Sequence, residues 1–227
     1  MANDIRKTGA AGDVAAFLAK VAATPQVRPG GRRGRLMFSL DATASRQPTW
    51  DQAMEIQAGM FGATDTLGGL DVQLVYFRGL GECRASAWYG DGARLGEAMR
   101  RISCAAGQTQ IGKVLRHALS ATAEKKLNAV VYVGDAMEEG ADDLTGQAGR
   151  LGLLGVPVFV FHEGGDPGAA DCFRRIAKLS GGAYCPFDAS SADLLRQLLA
   201  AVAVFAAGGR AALADHSRAA GSEVRLW

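Results

Sequence analysis

The amino-acid sequence predicts an α/β fold: a doubly wound, mostly parallel six-stranded sheet flanked by helices. Two observations support this prediction. Strand-like apolar runs alternate with helical patterns over residues 34–207, which is typical of a parallel sheet covered by helices. The connection at residues 78–82 breaks the pattern, because a parallel crossover takes about a dozen residues or more. The strands on either side of it must pair antiparallel, so we expect one antiparallel edge strand.

The individual elements follow from local patterns. Residues 36–40 are a short apolar run that predicts the first strand, and Trp50, Met54 and Phe61 mark one face of the helix after it. The other predicted strands are at residues 71–77, 83–89, 129–135, 156–162 and 183–187. The other predicted helices are at residues 92–103, from 109 onward, and at 142–154, 168–179 and 191–207.

Segments of different character flank this alternation. Residues 11–22 have the apolar spacing of a short amphipathic helix, and residues 24–34 are rich in proline, glycine and arginine, which is typical of a linker. The arginines in and beside that linker are expected to be solvated rather than to hold phosphate. We therefore divide the chain into an N-terminal helix and basic linker (1–33), a main domain (34–207) and a C-terminal tail (208–227).

Composition argues against several classes of partner. The net charge of +2 over 227 residues gives no reason to expect nucleic acid or an anionic membrane. The longest apolar stretch, residues 198–207, is about half the length of a membrane-spanning helix. The first residues lack the apolar core of a secretory signal, and the four cysteines are too scattered for a thiolate metal site. We therefore expect a cytoplasmic protein with reduced thiols, no nucleic-acid partner and no membrane span.

Oxygen-bearing side chains follow the first predicted strand at alternate positions. Asp41, Thr43 and Ser45 come directly after its apolar run. Two more segments carry the same chemistry, because Thr109 opens a helical pattern and Asp135 closes the apolar run of a buried strand. Two carboxylates and three hydroxyls are hard oxygen ligands. A divalent cation is therefore the expected occupant, Mg²⁺ first and Mn²⁺ or Ca²⁺ next.

The expected strand order brings these segments together. In the order 3-2-1-4-5-6 of a doubly wound sheet, the strands that end at Asp41 and Asp135 are neighbours at the point where the winding reverses. Ligands of open α/β sheets bind in the crevice at such a point. Motif and topology therefore select the same place independently.

These five candidate ligands, with the glycine before Asp135, resemble the metal-ion-dependent adhesion site of the von Willebrand factor A (VWA) domain family. The similarity covers about residues 34–207. The family pattern is Asp-x-Ser-x-Ser, and Thr43 at the middle position retains the hydroxyl. The resemblance implies a non-enzymatic module whose metal holds an acidic residue of a partner protein. Bacterial members often work beside AAA-type ATPases, so the resemblance also implies a partner of that class.

Two enzymatic interpretations stay open as alternatives. Residues 107–113 match the G-x-x-x-x-G-K pattern of a P-loop NTPase, but Val114 stands where that motif needs a hydroxyl, and no strand is predicted directly before the loop. Without a P-loop, Lys113 is expected to be a solvated helix residue. A haloacid-dehalogenase-like phosphohydrolase would use Asp41 as its nucleophile. That chemistry needs a general-acid aspartate two residues later, where this chain has threonine.

Further polar residues lie near the predicted site. His162 ends a predicted strand on the same rim, and Glu138 and Glu139 follow Asp135 closely. Polar residues are the norm in loops. We therefore expect these three side chains to be solvated.

Overall fold

The computed structural model describes residues 16–21, 33–50, 70–187, 200–203 and 205–206. Within them, six strands form one sheet. The strands are β1 (Gly34–Asp41), β2 (Leu70–Arg78), β3 (Glu82–Tyr89), β4 (Ala129–Gly134), β5 (Val158–Glu163) and β6 (Tyr184–Phe187). The helices named here are α1 (Gly92–Arg100), α2 (Ile111–Glu124), α3 (Ala141–Leu153) and α4 (Pro167–Ser180).

The predicted sheet topology is confirmed. The strand order is β3-β2-β1-β4-β5-β6. The central strand β1 pairs parallel with β2 and β4, whereas β3 pairs antiparallel with β2 at one edge. Asp41 of β1 lies opposite Phe77 of β2, and Leu40 lies opposite Val133 of β4. The carboxyl ends of β1, β2, β4 and β5 therefore meet along one edge of the sheet, which we call the upper rim.

The central strands of the sheet are covered on both faces, which explains why their residues are mainly apolar. Every residue of β1, β4 and β5 is buried, as is typical of parallel strands with helices on both sides. Phe38 and Phe161 lie in the core cluster on one face, and Met37 and Tyr132 lie in the cluster on the other. Alternate residues of one strand thus pack into the cores on opposite faces of the sheet.

Helix ends differ from the predictions by a few residues. The carboxylate of Asp91 caps the first turn of α1, but that helix ends at Arg100 rather than at residue 103. Helix α2 begins at Ile111 rather than at Thr109. A short 3-10 helix, Ala44–Thr49, directly follows the loop after β1. These shifts leave Thr109 in a loop.

Helical residues from both ends of the described chain pack on one face of the sheet. The ring of Phe17 lies 6.0 Å from that of Phe159 and 5.3 Å from that of Phe161. Phe205 lies 5.9 Å from Phe159 on the same face. The remaining parts of the helices predicted at 11–22 and 191–207, the linker up to residue 32, the tail from 208, Met54 and Phe61 lie outside the described residues.

The arginines at the start of β1 form structural contacts rather than a fully solvated loop. The Arg33 guanidinium donates to Asp71 Oδ1 at 2.8 Å and to the carbonyl oxygen of Gly90 at 2.8 Å. Arg35 is buried, and its guanidinium carbon lies 3.8 Å from the centroid of the Trp88 ring. The expectation of a solvated side chain is therefore wrong for Arg35, whereas Arg33 is exposed but also bonded to Asp71 of β2.

No helix in the described part of the chain is long and apolar enough to cross a membrane. Cys83, Cys104, Cys172 and Cys185 all lie in that part, and none forms a disulfide. Burial raises the pKa of the Cys104 thiol to about 11. That thiol stays protonated and unreactive at neutral pH.

Candidate metal centre

Asp41 is the last residue of β1, and its side chain is fully buried. Its Oδ1 accepts a hydrogen bond from the Thr43 amide at 2.8 Å, which turns the chain just beyond the strand. Its Oδ2 is buried and has no hydrogen-bond partner among the described residues. A buried carboxylate oxygen without a partner is unfavourable. This atom therefore marks a place where a ligand from outside the chain would be stabilised.

Thr43 and Ser45 place two hydroxyls side by side beyond Asp41. Thr43 is buried, Ser45 is exposed, and their hydroxyl oxygens lie 3.0 Å apart. Thr43 also forms an isolated bridge with Ala105, whose amide donates to the carbonyl oxygen of Ala42 at 3.0 Å. This bridge holds the loop that leads to Thr109 beside the loop that follows Asp41.

Thr109 is tied on its other side to the segment after β4. Its amide donates to Glu138 Oε2 at 2.9 Å, and its Oγ1 accepts from the Glu138 amide at 3.0 Å. A hydroxyl oxygen has two lone pairs, so one remains for a ligand. The carboxylate of Glu139 accepts from the amides of Ile111 and Gly112, satisfying open donors at the start of α2. Glu138 is exposed as expected, and Glu139 is only partly buried, but neither is simply solvated, because each holds the Thr109 loop.

Asp135 directly follows β4, and its Oδ1 is buried without a hydrogen-bond partner among the described residues. His162 lies beside it with 1% of its surface exposed. Burial lowers the pKa of His162 and keeps the ring neutral. Its Nε2 donates to the Asp135 carbonyl oxygen at 3.2 Å, and the Tyr184 hydroxyl lies 2.9 Å from its Nδ1. The prediction of a solvated His162 is wrong: the ring positions the Asp135 backbone.

The electrostatics of the site are set by burial. The pKa of Asp41 is raised from 3.8 to about 6, mainly by burial and to a smaller extent by the negative charge of Asp135. Hydrogen bonds with Thr43 and the positive charge of Arg46 act in the opposite direction. An opposite charge close to a carboxylate favours its ionised form. A cation beside Asp41 and Asp135 would thus oppose the effect of burial.

Arg46 and Glu163 form a buried ion pair next to the site that the sequence patterns do not reveal. The Arg46 Nε lies 2.8 Å from Glu163 Oε2, and the two side chains are 1% and 11% exposed. Arg46 sits in the 3-10 helix after Ser45, and Glu163 ends β5. The pair connects the loop after β1 with the end of β5. The only sequence signal was a charged residue directly after Ser45 and another at a strand end.

Tyr132 places a third unpartnered oxygen near the two carboxylates. Its hydroxyl is buried and has no hydrogen-bond partner in the described part of the chain. The hydroxyl lies against the backbone of Gly134, where a Cβ would be only 2.3 Å from it. Residue 134 must therefore be glycine for the ring to occupy this place beneath the site.

The residues at the upper rim fit a hard divalent cation. Two carboxylates each have a buried oxygen without a partner, and three hydroxyls lie on the adjoining loops. Over the ranges that the structure describes, no group of three or more His, Cys, Asp or Glu side chains is arranged to hold a metal. The candidate donors are all carboxylate and hydroxyl oxygens, which suit Mg²⁺, Mn²⁺ or Ca²⁺ better than softer metals.

The geometry of a P-loop is not present. The element before Gly107 is helix α1, followed by a loop with one isolated bridge, whereas the motif requires a strand there. Lys113 Nζ donates to the carbonyl oxygen of Gly81 at 2.9 Å and to Gln110 Oε1 at 2.7 Å. Lys113 is exposed, but it is not simply solvated, because it ties α2 to the turn after β2.

Fold and site together define an open, doubly wound α/β domain with a candidate cation site at the switch point between β1 and β4. No family model and no curated protein matches the sequence. Solved structures do match the fold. The von Willebrand factor type A protein from Catenulispora acidiphila is similar over 75% of this chain and 42% of its own, with 20% identity and a TM-score of 0.59.

Two further structures extend the comparison. The VWA domain of SpRpn10 is similar over 76% of this chain and 95% of its own, with 13% identity and a TM-score of 0.58. PTMP1 from the mussel byssus, in a structure with a zinc-occupied MIDAS motif, is similar over 74% of this chain and 45% of its own, with 16% identity and a TM-score of 0.56. This chain therefore spans less than half the length of PTMP1 and of the Catenulispora protein. The chain has the von Willebrand factor A fold, as the resemblance of its motif predicted.

Proposed function

We propose that this protein is a metal-dependent protein-binding module. It would hold a divalent cation and use it to engage a carboxylate of a partner protein. The observation that supports this most strongly is the pair of buried carboxylate oxygens, at the ends of neighbouring strands, that have no hydrogen-bond partner among the described residues. Mg²⁺ is the first choice of cation, with Mn²⁺ and Ca²⁺ as alternatives. The proposed ligands are Asp41, Thr43, Ser45, Thr109 and Asp135.

The chemistry of the donor set explains why such a site would attract an anion. Two carboxylates balance the charge of a divalent cation, and the three hydroxyls add dipoles without charge. A cation of this kind, once bound, supplies an electrophilic position for a further oxygen ligand. Ser45 is exposed, so the site is accessible at the upper rim. A carboxylate from a partner would form a directional contact there.

The similar structures support the proposal at the level of the metal. The PTMP1 structure has zinc in its MIDAS motif, which is the kind of site that the oxygen-bearing residues of this chain resemble. We extend the proposal to a cytoplasmic partner, and an AAA-type ATPase is the class to test first. Affinity capture in Mg²⁺ and in chelator, with wild type and Asp41→Ala, tests partner binding. Asp171→Ala is a matched control, because Asp171 is an exposed residue of α4.

A genuine partner should be retained by wild type and by Asp171→Ala in Mg²⁺ and lost both in chelator and with Asp41→Ala. Calorimetric titration of each protein with Mn²⁺ should show binding that Asp41→Ala abolishes. If the same partner is retained equally in chelator and in Mg²⁺, its binding does not use the metal. If wild type does not bind Mn²⁺, Mg²⁺ or Ca²⁺, the metal site itself is refuted.

Replacing Thr109 should weaken metal and partner binding more than it destabilises the fold. Thr109→Val removes the hydroxyl but keeps the shape, so we expect roughly a tenfold loss of metal affinity, about 1.4 kcal/mol. The Glu138 amide also loses its acceptor, which should cost about 1 kcal/mol of stability. Thr109→Ser keeps the hydroxyl and is the control. Equal metal affinity in Thr109→Val and wild type would remove Thr109 from the ligand set.

We further propose that the protein is not a hydrolase. The general acid of a haloacid-dehalogenase-like enzyme is missing at Thr43, and a P-loop would need a hydroxyl at Val114. No turnover of p-nitrophenyl phosphate or ATP above background is therefore expected in Mg²⁺. Turnover that disappears in Asp41→Ala would restore the phosphohydrolase alternative, and turnover lost in Lys113→Ala would restore the NTPase alternative.

A further inference from the structure

The turn between β2 and β3 places an apolar side chain on the upper rim. This turn, residues 79–81, is called the Leu80 turn below. Leu80 at its tip is 86% exposed. Strand β2 runs parallel to β1, with Phe77 opposite Asp41. The Leu80 turn therefore lies on the same side of the sheet as the proposed metal ligands.

The Leu80 turn is held firmly by the segment that carries Thr109. The Gly79 carbonyl oxygen accepts from the Gln108 amide at 3.2 Å and from Gln110 Nε2 at 3.3 Å. The Gly81 carbonyl oxygen accepts from Lys113 Nζ at 2.9 Å. These bonds join both glycines of the turn to residues on either side of Thr109. Leu80 thus has a fixed place relative to that proposed ligand.

Backbone packing adds to these hydrogen bonds. A Cβ at Gly107 would lie 2.1 Å from the carbonyl oxygen of Gly79, so the two backbones are in direct contact. Arg78, just before the turn, donates to the Ser103 carbonyl oxygen at 2.7 Å. A preorganised loop binds with a smaller loss of conformational entropy than a mobile one. An exposed leucine on such a turn is therefore well suited to a binding contact.

The position of Leu80 distinguishes it from other exposed leucines. Single exposed apolar residues are common and need no functional explanation. Leu153, Leu154 and Leu179 are also exposed, but they lie at the carboxyl ends of α3 and α4. Those helix ends lead into the amino ends of the following strands, at the opposite edge of the sheet. Among the large exposed apolar side chains of the described residues, Leu80 is the one on the upper rim.

The surroundings of Leu80 carry excess positive charge. Glu82 is paired with both Arg78, at 3.0 Å, and Arg84, at 2.7 Å, so one carboxylate faces two guanidinium groups. Lys113 adds a third cation, which donates hydrogen bonds to the neutral oxygens of Gly81 and Gln110. Together these three cations and the one carboxylate carry a net charge of +2. Such a surface favours an acidic partner segment.

We propose that the Leu80 turn is the second contact of the partner-binding surface. The partner segment would be acidic and would carry an apolar side chain close in sequence to the carboxylate that reaches the metal. The apolar side chain would pack on Leu80, while further acidic residues would face Arg78, Arg84 and Lys113. This inference rests on the proposed function, because the metal site provides the first contact.

An array of synthetic peptides tests the proposal without a known partner. Each peptide has one central aspartate. The positions beside it carry leucine or serine, and the remaining positions carry glutamate or lysine. Retention of each peptide by the protein is measured in Mn²⁺ and in chelator. Wild type should retain aspartate peptides only in Mn²⁺ and should prefer those with a flanking leucine and glutamates. In Leu80→Ser, the ratio of retained leucine peptides to retained serine peptides should fall roughly tenfold, as expected for the loss of one buried leucine contact. Leu153→Ser, at the opposite edge, should behave like wild type.

The outcomes separate this inference from the proposed function. Asp41→Asn should lose all metal-dependent retention, while its melting curve confirms folding. If Leu80→Ser and wild type show the same leucine preference, or if wild type shows none, the Leu80 turn is not a contact, although the metal-dependent module stands. If wild type binds Mn²⁺ by calorimetry yet retains no peptide, the proposed partner chemistry is wrong. If wild type binds no metal, the proposed function fails first.

Discussion

Saturating Mg²⁺ or Mn²⁺ should raise the melting temperature of this protein by about 5–10 °C relative to chelator. A ligand present at a hundredfold excess over its Kd stabilises the native state by roughly 2.7 kcal/mol, and each kcal/mol is worth about 2–4 °C for a domain of this size. If Kd is near millimolar, the rise should be only about 1–2 °C. The physical reason is that Asp41 and Asp135 have buried oxygens that the described chain leaves unpartnered.

Asp41→Asn separates the metal from the fold. It removes the charge but keeps an oxygen for the Thr43 amide, so the metal-induced rise should vanish. In chelator this variant should melt higher than wild type, because the buried charge beside Asp135 is gone. Asp171→Asn, an exposed substitution in α4, should keep the full rise. Identical melting of wild type in chelator and in millimolar Mg²⁺, Mn²⁺ and Ca²⁺ would contradict the metal site.

The metal-free protein should also depend on pH in a defined direction. The pKa of Asp41 is raised by burial, from 3.8 to about 6. A raised carboxylate pKa means that the native state binds its proton more tightly than the unfolded state does. This tighter proton binding contributes on the order of 3 kcal/mol to the free energy of unfolding. The contribution is fully present below about pH 4 and is lost as the pH rises through 6. In chelator, the difference in stability between Asp41→Asn and wild type should therefore grow from pH 5 to pH 7.5, as urea unfolding would measure.

Breaking the buried ion pair between Arg46 and Glu163 should have the second large effect. Glu163→Gln removes the carboxylate charge that lies 2.8 Å from the Nε of Arg46, a side chain that is only 1% exposed. Removal of one partner from a buried pair costs about 3–5 kcal/mol, so the melting temperature should fall by roughly 10 °C or more. Urea unfolding in chelator measures this loss independently of the metal.

A double-mutant cycle distinguishes the ion pair from general damage to the core. Arg46→Met with Glu163→Leu replaces both charges by apolar side chains and should recover most of the stability lost in either single variant. Asp71→Asn is the matched control, because its partner Arg33 is 43% exposed and such pairs contribute about 0–1 kcal/mol. A Glu163→Gln variant as stable as Asp71→Asn would show that the pair adds nothing to the fold.

The sheet was predictable because its signals are local. The central strands are buried at every residue and therefore consist mainly of apolar residues. A connection as short as the one between β2 and β3 can only join antiparallel strands. The end of α1 was not predictable in the same way. Ile102 continues the apolar spacing, but its amide bonds to the Met99 carbonyl oxygen and its carbonyl oxygen accepts from Trp50 at 3.0 Å. A contact across 52 residues thus ends the helix.

The residues of the candidate site also differ in whether local sequence or a distant contact determines their role. Asp41, Thr43 and Ser45 form a local motif, so their spacing alone indicates oxygen ligands. Arg46 follows directly, but its partner Glu163 is far away in sequence, and a charged loop residue normally indicates solvent. His162 was misjudged for the same reason, because its burial depends on Tyr184 and on the Asp135 backbone. Residues that position a site through long-range contacts can be identified only from the folded structure.

The close contact between the Tyr132 hydroxyl and the Gly134 backbone has a consequence for evolution. A Cβ at residue 134 would lie 2.3 Å from the hydroxyl oxygen and 2.7 Å from the ring carbon that bears it. Removing the oxygen alone would therefore not make room for alanine. The two positions should vary together across related chains: a large ring at 132 only with glycine at 134, and alanine or serine at 134 only where residue 132 is smaller. A substitution at 134 with Tyr132 still present would force the ring out of its buried place, so a smaller side chain at 132 is expected to come first.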